Sequence, residues 1–168
     1  MLLKIHTKGL FMTDTTTYIA GTGKDSVIQL VNFTIDNEEY GVEVLKVREI
    51  IRMTDVTRVP NAPNFVDGVF NLRGKVIPII SLRKRLSLPV VDSDNKTRII
   101  VLDIDNILTG ILVDSVTEVL RISFEEIQMA PAALTSSIEP DLFVGLVNRD
   151  NRIFILLNFN NMLTRDDM

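Results

Sequence analysis

The sequence predicts an all-β fold in which two small barrels share an interface. Two segments recur in the same order along the chain, at offsets of 69 and 77 residues. Runs rich in β-branched residues alternate with Asn, Asp, Gly and Pro at the short spacings of a closed barrel or sandwich. Because a unit of this size has only a small core, two copies packed together would stabilise one another.

The duplication rests on two sequence matches. The stretch IDNEEYGVEVLKVREIIR at 35–52 coincides at eight positions with IDNILTGILVDSVTEVLR at 104–121. The stretch FVDGVFNLRGKVIPIISLRKRL matches LFVGLVNRDNRIFILLNFNNML and aligns Gly68 with Gly145. Since repeated sequence indicates repeated structure, equivalent glycines are expected to occupy equivalent elements.

Each copy is predicted to contain a strand, a turn at Asp-Asn, a second strand, a long Pro-containing connection and a final hairpin. The strongest strand signals are LVNFTI, RIIVLDI, KVIPII and RIFILL. Short helices are expected at SFEEIQ, after Pro63, and after the last strand of each copy at LRKRL and NFNNML. The first β-barrel subdomain is therefore assigned to residues 27–95, and the second, with a C-terminal helix, to residues 96–168.

Residues 1–26 are predicted to form a flexible N-terminal tail outside both copies. The stretch TDTTTYIAGTGKDS offers too little apolar surface to offset the entropy of ordering it. Lys4, His6 and Lys8 interrupt the apolar positions of the opening residues, which argues against a membrane span there. We therefore expect a cytoplasmic protein with no direct membrane insertion.

Composition argues against several classes of function. The 18 Lys and Arg residues against 22 Asp and Glu give a net charge of -4, so no general cationic field attracts nucleic acid. The chain has no Cys and its only His is His6, which removes thiolate chemistry and His-based sites from the core. Asp103 and Asp105 share one face of a strand, yet a hairpin turn explains them equally well. We expect no catalytic residue, metal or cofactor, and interpret the basic run 83–85 as a solvated helix face.

The turn NLRG at 71–74 is the strongest candidate for a functional site. The second copy fills the same turn with NRDN, so the fold does not require Arg73. Gly74 is replaced there by Asn151, a residue that tolerates a left-handed turn position. Asn71 recurs in the second copy, which indicates a shared role such as bonding the turn backbone.

Glu49 and a set of valines complete the candidate surface. Glu118 occupies the position equivalent to Glu49, which favours a structural role, but a Glu49 close to Arg73 would form a charged rim. An apolar ridge of valines would border that rim, with burial in the core as the alternative. The predicted binding surface comprises Val44, Val47, Glu49, Asn71, Arg73, Gly74, Val116 and Val119.

These stretches together resemble the CheW family of chemotaxis coupling proteins. The resemblance covers about residues 27–165, and the NLRG turn followed by an apolar strand with an internal Pro is its most specific part. It implies two five-stranded SH3-like barrels, one for each copy, with an apolar groove between them. The chain departs from the family at Asn158, where many members carry Asp, and in the tail that precedes the domain.

The resemblance also implies a function and partners. It implies a non-enzymatic adaptor that couples methyl-accepting chemotaxis receptors to the histidine kinase CheA and is recruited to receptor arrays at the membrane. One barrel would pair with the related regulatory domain of the kinase. The groove would accept the helical hairpin tip of a receptor, with Arg73 bonding a carboxylate or carbonyl at its edge. The alternative left open is a small oligonucleotide-binding barrel, which affinity for polyanions would reveal.

Overall fold

The predicted β-branched runs form strands, since a pleated strand can direct alternate side chains into two different apolar layers. The computed structural model describes residues 2–6, 16–20, 27–129, 131 and 140–162. In chain order its strands are β1 Leu2–His6, β2 Thr16–Ala20, β3 Val27–Ile35, β4 Glu38–Glu43, β5 Val47–Arg52, β6 Val66–Leu72, β7 Lys75–Ser81, β8 Arg98–Ile104, β9 Ile107–Val113, β10 Ser115–Ser123, β11 Ile127–Gln128, β12 Phe143–Arg149 and β13 Arg152–Leu157.

Tight two-residue turns join the hairpins, and each places two successive residues at positive φ. These pairs are Asp36-Asn37, Arg73-Gly74, Asp105-Asn106 and Asp150-Asn151. Positive φ at both central residues defines the type I′ turn, whose twist matches that of the flanking strands. Asn, Asp and Gly tolerate this conformation best, and all of these turn residues except Arg73 are of these three types.

Beyond residue 26 the described strands form two sheets, and each sheet takes strands from both copies of the repeat. One sheet has the order β5-β8-β9-β7-β6 and the other has β10-β3-β4-β13-β12-β11. Exchanging the two copies converts the first order into the second, apart from the added strand β11. The glycines at 41 and 110 both lie in the parallel strand pairs, β4 with β13 and β9 with β7. We name the sheet that contains β5 the first barrel and the other the second barrel.

This strand order corrects the division at residues 95 and 96. The first barrel takes β8 and β9 from the second copy, and the second barrel takes β3 and β4 from the first copy. The physical reason is the parallel pairing of each final hairpin with the other copy, as in the registers Ile79 with Gly110 and Leu156 with Gly41. Neither copy closes a barrel from its own strands.

Alternation along the strands builds three apolar clusters, one inside each barrel and one shared between them. In β8, Ile99 and Val101 pack inside the first barrel. Ile100, Leu102 and Ile104 point to the opposite face and pack against residues of the second barrel in a shared core. This period of two explains why RIIVLDI is almost continuously apolar.

Both barrels are closed by a close approach of backbone at a glycine. Thr57 bridges to Val69 and closes the first barrel beside Gly68, where an added Cβ would lie 2.3 Å from the Thr57 carbonyl oxygen. A Cβ at Gly145 would lie 2.7 Å from the carbonyl oxygen of Gln128, at the equivalent closure of the second barrel. The aligned glycines therefore share a structural role, which confirms the duplication.

Helical turns occur at three of the four predicted places. They are the helix α1 (Leu82–Arg85) and the 3₁₀ turns Phe124–Glu126 and Phe159–Met162, with unpredicted 3₁₀ turns at Val44–Lys46 and Pro140–Leu142. The prediction of a helix after Pro63 is wrong. The Val66 amide bonds the Pro63 carbonyl at 2.9 Å and the chain then enters β6 directly, so a single turn replaces the helix. Asn158, where many family members carry Asp, caps the 3₁₀ turn Phe159–Met162, since its side-chain oxygen accepts a 3.1 Å hydrogen bond from the Asn160 amide.

The basic run 83–85 is not a solvated face, which corrects its interpretation. Arg83 donates to both carboxylate oxygens of Asp114, at 2.9 and 2.6 Å. Arg85 is 7% exposed and lies 5.0 Å from the centre of the Phe65 ring. Because these cations are engaged within the protein, they offer little to an oligonucleotide.

Two strands lie inside the segment predicted to be a tail. β1 pairs antiparallel with β2 in a two-stranded sheet separate from the barrels, an arrangement the sequence did not predict. The other residues of that segment, including 7–15 and 21–26, lie outside the described residues. Within the described residues no helix is long and apolar enough to cross a membrane.

Candidate functional site

Arg73 lies at the tip of the β6–β7 hairpin and is bonded to a side chain of β5. Its two terminal guanidinium nitrogens donate to the two carboxylate oxygens of Glu49, each at 3.0 Å. The pairing of β5 shifts register between Val47 and Glu49, and such bulges commonly redirect side chains. The Arg73 side chain is 78% exposed, so the pair adds little stability and remains accessible to a partner.

The Arg73–Glu49 pair borders a cavity of about 460 Å³ at one end of the first barrel, which we call the first mouth. Leu72, Val101 and Leu108 supply its apolar lining. Val101 belongs to the interior of the first barrel, and the two leucines pack against the same cluster. The first mouth thus combines an apolar floor with a charged edge, as binding sites often do.

The edge of the first mouth carries more cationic than anionic side chains. Its cations are Arg48, Arg73 and Lys75, and its carboxylates are Glu49 and Asp103. Arg48 donates to Asp103 from Nε at 2.9 Å. Lys75 forms no ion pair with any described residue, so the edge carries one uncompensated positive charge. A partner with a carboxylate beside an apolar side chain fits this arrangement.

Asn71 and Gly74 shape the turn that presents Arg73. The Asn71 side-chain oxygen accepts a 3.0 Å bond from the Gly74 amide. Gly74 has a φ of 84°, and no atom lies within 4 Å of the place where its Cβ would be. These two members of the predicted surface therefore have a structural role in the hairpin, as the recurrence of the asparagine indicated.

The four predicted valines do not share one environment. Val44, Val47 and Val116 are partly buried against the shared core between the barrels. Val119 is 59% exposed and lies on β10 opposite Val31. The structure therefore brings three of the valines to the edge of the shared core and leaves the fourth on the outer surface of the second barrel.

The second copy has its own glutamate–arginine pair, although its turn has no arginine at the position of Arg73. Asp150 does stand in place of Arg73, with a φ of 53° against 51°. However, Glu118 accepts a 2.8 Å bond from Arg152, two residues further along the chain. A glutamate at the bulge bonds a hairpin arginine in both copies, so the equivalent glutamates share a structural element.

Sequence reasoning missed Arg48, Lys75 and the apolar lining of the first mouth. The signal that could have found the lining is a difference between copies, since Leu108 stands where the other copy has Glu39. Asp103 is ion-paired with Arg48. The described residues contain no group of three or more His, Cys, Asp or Glu that could hold a metal.

A separate small cavity of about 40 Å³ lies in the second barrel. Its lining is largely apolar, including Leu30, Phe124 and Ile127, and the half-buried Glu43 reaches it. Burial raises the pKa of the Glu43 carboxyl, and Lys46 opposes this effect only in part. The cavity has room for about three water molecules, so it is too small for a ligand of ordinary size.

Comparison with known proteins agrees with this architecture. The chain is 39% identical over 136 residues to chemotaxis protein CheW of Klebsiella aerogenes, covering 81% of each chain. It is 34% identical over 142 residues to chemotaxis protein CheW of Helicobacter pylori, covering 84% of this chain and 85% of that one. The crystal structure of the scaffolding protein TtCheW from Thermoanaerobacter tengcongensis superposes with a TM-score of 0.77 at 28% identity, over 84% of this chain and 90% of that one. Since the sequence model of the CheW-like domain also matches residues 29–167, the chain belongs to the CheW family of chemotaxis adaptors.

Proposed function

We propose that this adaptor couples methyl-accepting chemotaxis receptors to the histidine kinase CheA, and that the first mouth contacts the regulatory domain of the kinase. The observation that carries the proposal is the exposed Arg73–Glu49 pair at the edge of an apolar cavity. The lining offers burial to an apolar anchor of the partner, and the excess positive charge orients a neighbouring carboxylate.

The groove between the barrels is proposed to receive the helical hairpin tip of the receptor. Val44, Val47 and Val116 are half-buried at the edge of the shared core and can complete their burial against an apolar helix face. Val119, exposed on the outer surface, would contact a partner only beyond this groove. The kinase and the receptor would thus occupy neighbouring surfaces of one small protein.

The proposed activity is to hold the receptor and the kinase in position, and it involves no chemical step. The protein would act in the cytoplasm and join receptor arrays through its partners, with no cofactor and no nucleic acid. Coupling of this kind requires that both surfaces be occupied together, so a defect in either one should abolish kinase control.

The test is reconstitution of the kinase with receptors and this adaptor carrying Arg73→Glu. Kinase activity should fall to the level without adaptor, because the substitution opposes the partner's carboxylate at the first mouth. Arg121→Glu is the matched control, since Arg121 is an exposed arginine on β10 that does not line the first mouth. Normal kinase activation by a folded Arg73→Glu protein would refute the proposal, and binding of a labelled oligonucleotide by the wild type would favour the nucleic-acid alternative.

A further inference from the structure

The proposed receptor groove takes its valines from the two segments that cross from one barrel to the other. The first crossing joins β4 to β5 through the 3₁₀ turn Val44–Lys46, and Val47 follows it. The second crossing joins β9 to β10 at Asp114, two residues before Val116. The path of each crossing therefore sets the position of one wall of the groove.

Arg83 of α1 binds the second crossing and its surroundings. Its guanidinium donates to both carboxylate oxygens of Asp114, at 2.9 and 2.6 Å. The nitrogen of the shorter bond also lies 3.6 Å from a carboxylate oxygen of Asp36, in the β3–β4 turn. The other terminal nitrogen donates to the Pro89 carbonyl at 2.8 Å. With its side chain only 12% exposed, Arg83 joins α1, the crossing, a turn of the second barrel and the segment that leads to β8.

The arginine lies between two carboxylates that would otherwise repel each other. Asp114 and Asp36 are both partly exposed, so water screens their charges only in part. Asp114 also accepts a 2.9 Å bond from the Asp36 amide, and its own amide donates to the Thr34 carbonyl at 3.1 Å. Without the arginine, these bonds would hold two like charges together. We expect the turn and the crossing to move apart, which displaces the first residues of β10 and with them Val116.

The first crossing has no such anchor among the described residues. The equivalent positions, at the offsets of 77 and 69 residues, hold Asn160, Leu45 and Asp105. Asp105 alone of the three is charged, and it forms no ion pair with any described residue. Leu45 is 63% exposed. One wall of the groove is thus held by charge, and the other is not.

We propose that Arg83 is a positioning residue for the receptor groove, which fixes the wall at Val116 by binding Asp114 and leaves the wall at Val44 adaptable. This inference rests on the proposed function, in which the groove receives the receptor. Arg83 itself does not contact the receptor, since its guanidinium is engaged within the protein. A wall that is fixed before binding lessens the cost of ordering the groove around a helix.

The test measures receptor binding and kinase binding separately. Arg83→Met removes the charge and should weaken binding of a soluble cytoplasmic fragment of a methyl-accepting chemotaxis receptor about tenfold in titration calorimetry. Binding of a CheA regulatory domain should stay at the wild-type value, because neither Arg83 nor its partners line the first mouth. An equal loss of both affinities would mean that the variant is destabilised as a whole, and would overturn the proposal.

Lys84→Met is the matched control. Lys84 lies next to Arg83 on α1, and its partner at 2.7 Å is Asp67 of β6, away from both crossings. This variant also loses a partly buried ion pair, but it should bind the receptor fragment as wild type does. Equal weakening of receptor binding by Lys84→Met and Arg83→Met would contradict a specific role for Arg83.

A second background shows whether Arg83 acts through Asp114. Asp114→Asn removes one of the two carboxylates, so adding Arg83→Met should then weaken receptor binding about twofold or less. A tenfold loss in both backgrounds would overturn the proposal. Should Arg83→Met fail to fold, Arg83→Lys keeps a charge but bridges fewer acceptors, and should weaken receptor binding about threefold. Unchanged receptor binding by Arg83→Lys would then refute the positioning role.

Val116→Ala separates failure of this inference from failure of the receptor site. It shortens an apolar side chain of the groove and should weaken receptor binding about threefold or more. If Val116→Ala weakens binding and Arg83→Met does not, the positioning role is wrong while the groove stands. If Val116→Ala binds as tightly as wild type, the groove assignment is wrong and the positioning role falls with it.

Discussion

Arg73 faces Glu49 with both terminal guanidinium nitrogens, each 3.0 Å from a different carboxylate oxygen. Exchanging the two residues, with Glu49→Arg and Arg73→Glu together, keeps an ion pair but reverses the charges that a partner meets. We expect the free energy of unfolding to change by about 0.5 kcal/mol or less, because both sites are near the surface. Binding of the kinase regulatory domain, measured by titration calorimetry, should still weaken about tenfold or more. Restored binding in the exchanged variant would show that the pair serves the protein's own structure.

Val47 and Val119 should respond differently to a buried charge. Val47→Asp places a carboxylate against the shared core and should destabilise the protein by about 3 kcal/mol or more. Val119→Asp alters an exposed position, so we expect a change of about 0.5 kcal/mol or less. Urea denaturation of both variants measures the difference. Equal destabilisation would mean that Val119 is buried in solution.

The Arg83–Asp114 pair should make stability sensitive to acid. Burial raises the pKa of Asp114, but hydrogen bonds from Arg83 and from the Asp36 amide outweigh it and leave the pKa below its usual range. A carboxyl whose folded pKa is depressed stabilises the protein above its unfolded pKa, near 4, and loses that contribution as pH falls through the folded value.

Asp114→Asn should therefore lower the free energy of unfolding by about 2 kcal/mol at pH 7, where a charge-assisted pair is lost. The difference from wild type should narrow as the pH falls below about 4, as measured by urea denaturation across that range. A difference that stays constant with pH would contradict this assignment.

Glu43 should show the opposite pH dependence. Burial raises the pKa of its carboxyl, so the folded state favours the neutral form. The stability associated with this neutral form is complete below the unfolded pKa and is lost as pH rises through the folded pKa. Glu43→Gln should therefore stabilise the protein at pH 7 and have little effect near pH 4, which thermal denaturation at the two pH values would show. Destabilisation at pH 7 would indicate a partner for the charged form.

Two glycines provide a matched pair for backbone effects. Gly68→Ala places a Cβ 2.3 Å from a carbonyl oxygen at the barrel closure and should destabilise by about 3 kcal/mol or more. Gly74→Ala meets no atom within 4 Å and should show only the strain of its positive φ, roughly 1 to 2 kcal/mol. Denaturant midpoints of the two variants test this order, and a reversed order would refute the account of the closure.

Local features of the fold were predictable because their causes are local. The turns at Asp36-Asn37 and Asp105-Asn106 follow from residues that tolerate positive φ, and the strands follow from β-branched runs. The exchange of strands between copies was not predictable, since two strand patterns of the same order and spacing do not specify which copy pairs with which. Within the candidate site, Arg73 was identifiable because the copies differ there. Lys75 was missed because its importance depends on which charges the fold places around it.

The strand exchange described above bears on how the duplicated chain could arise. A protein made of one copy would lack two strands of its sheet and would leave a long unpaired edge. Two identical copies could complete each other by donating those strands reciprocally, which is a domain-swapped homodimer. The present chain has the strand pairing that covalent fusion of such a dimer would produce, and the segment between α1 and β8 stands in the place of the link. In a fused chain the two halves need not be identical to fit each other, which allows equivalent positions to carry Leu108 in one half and Glu39 in the other.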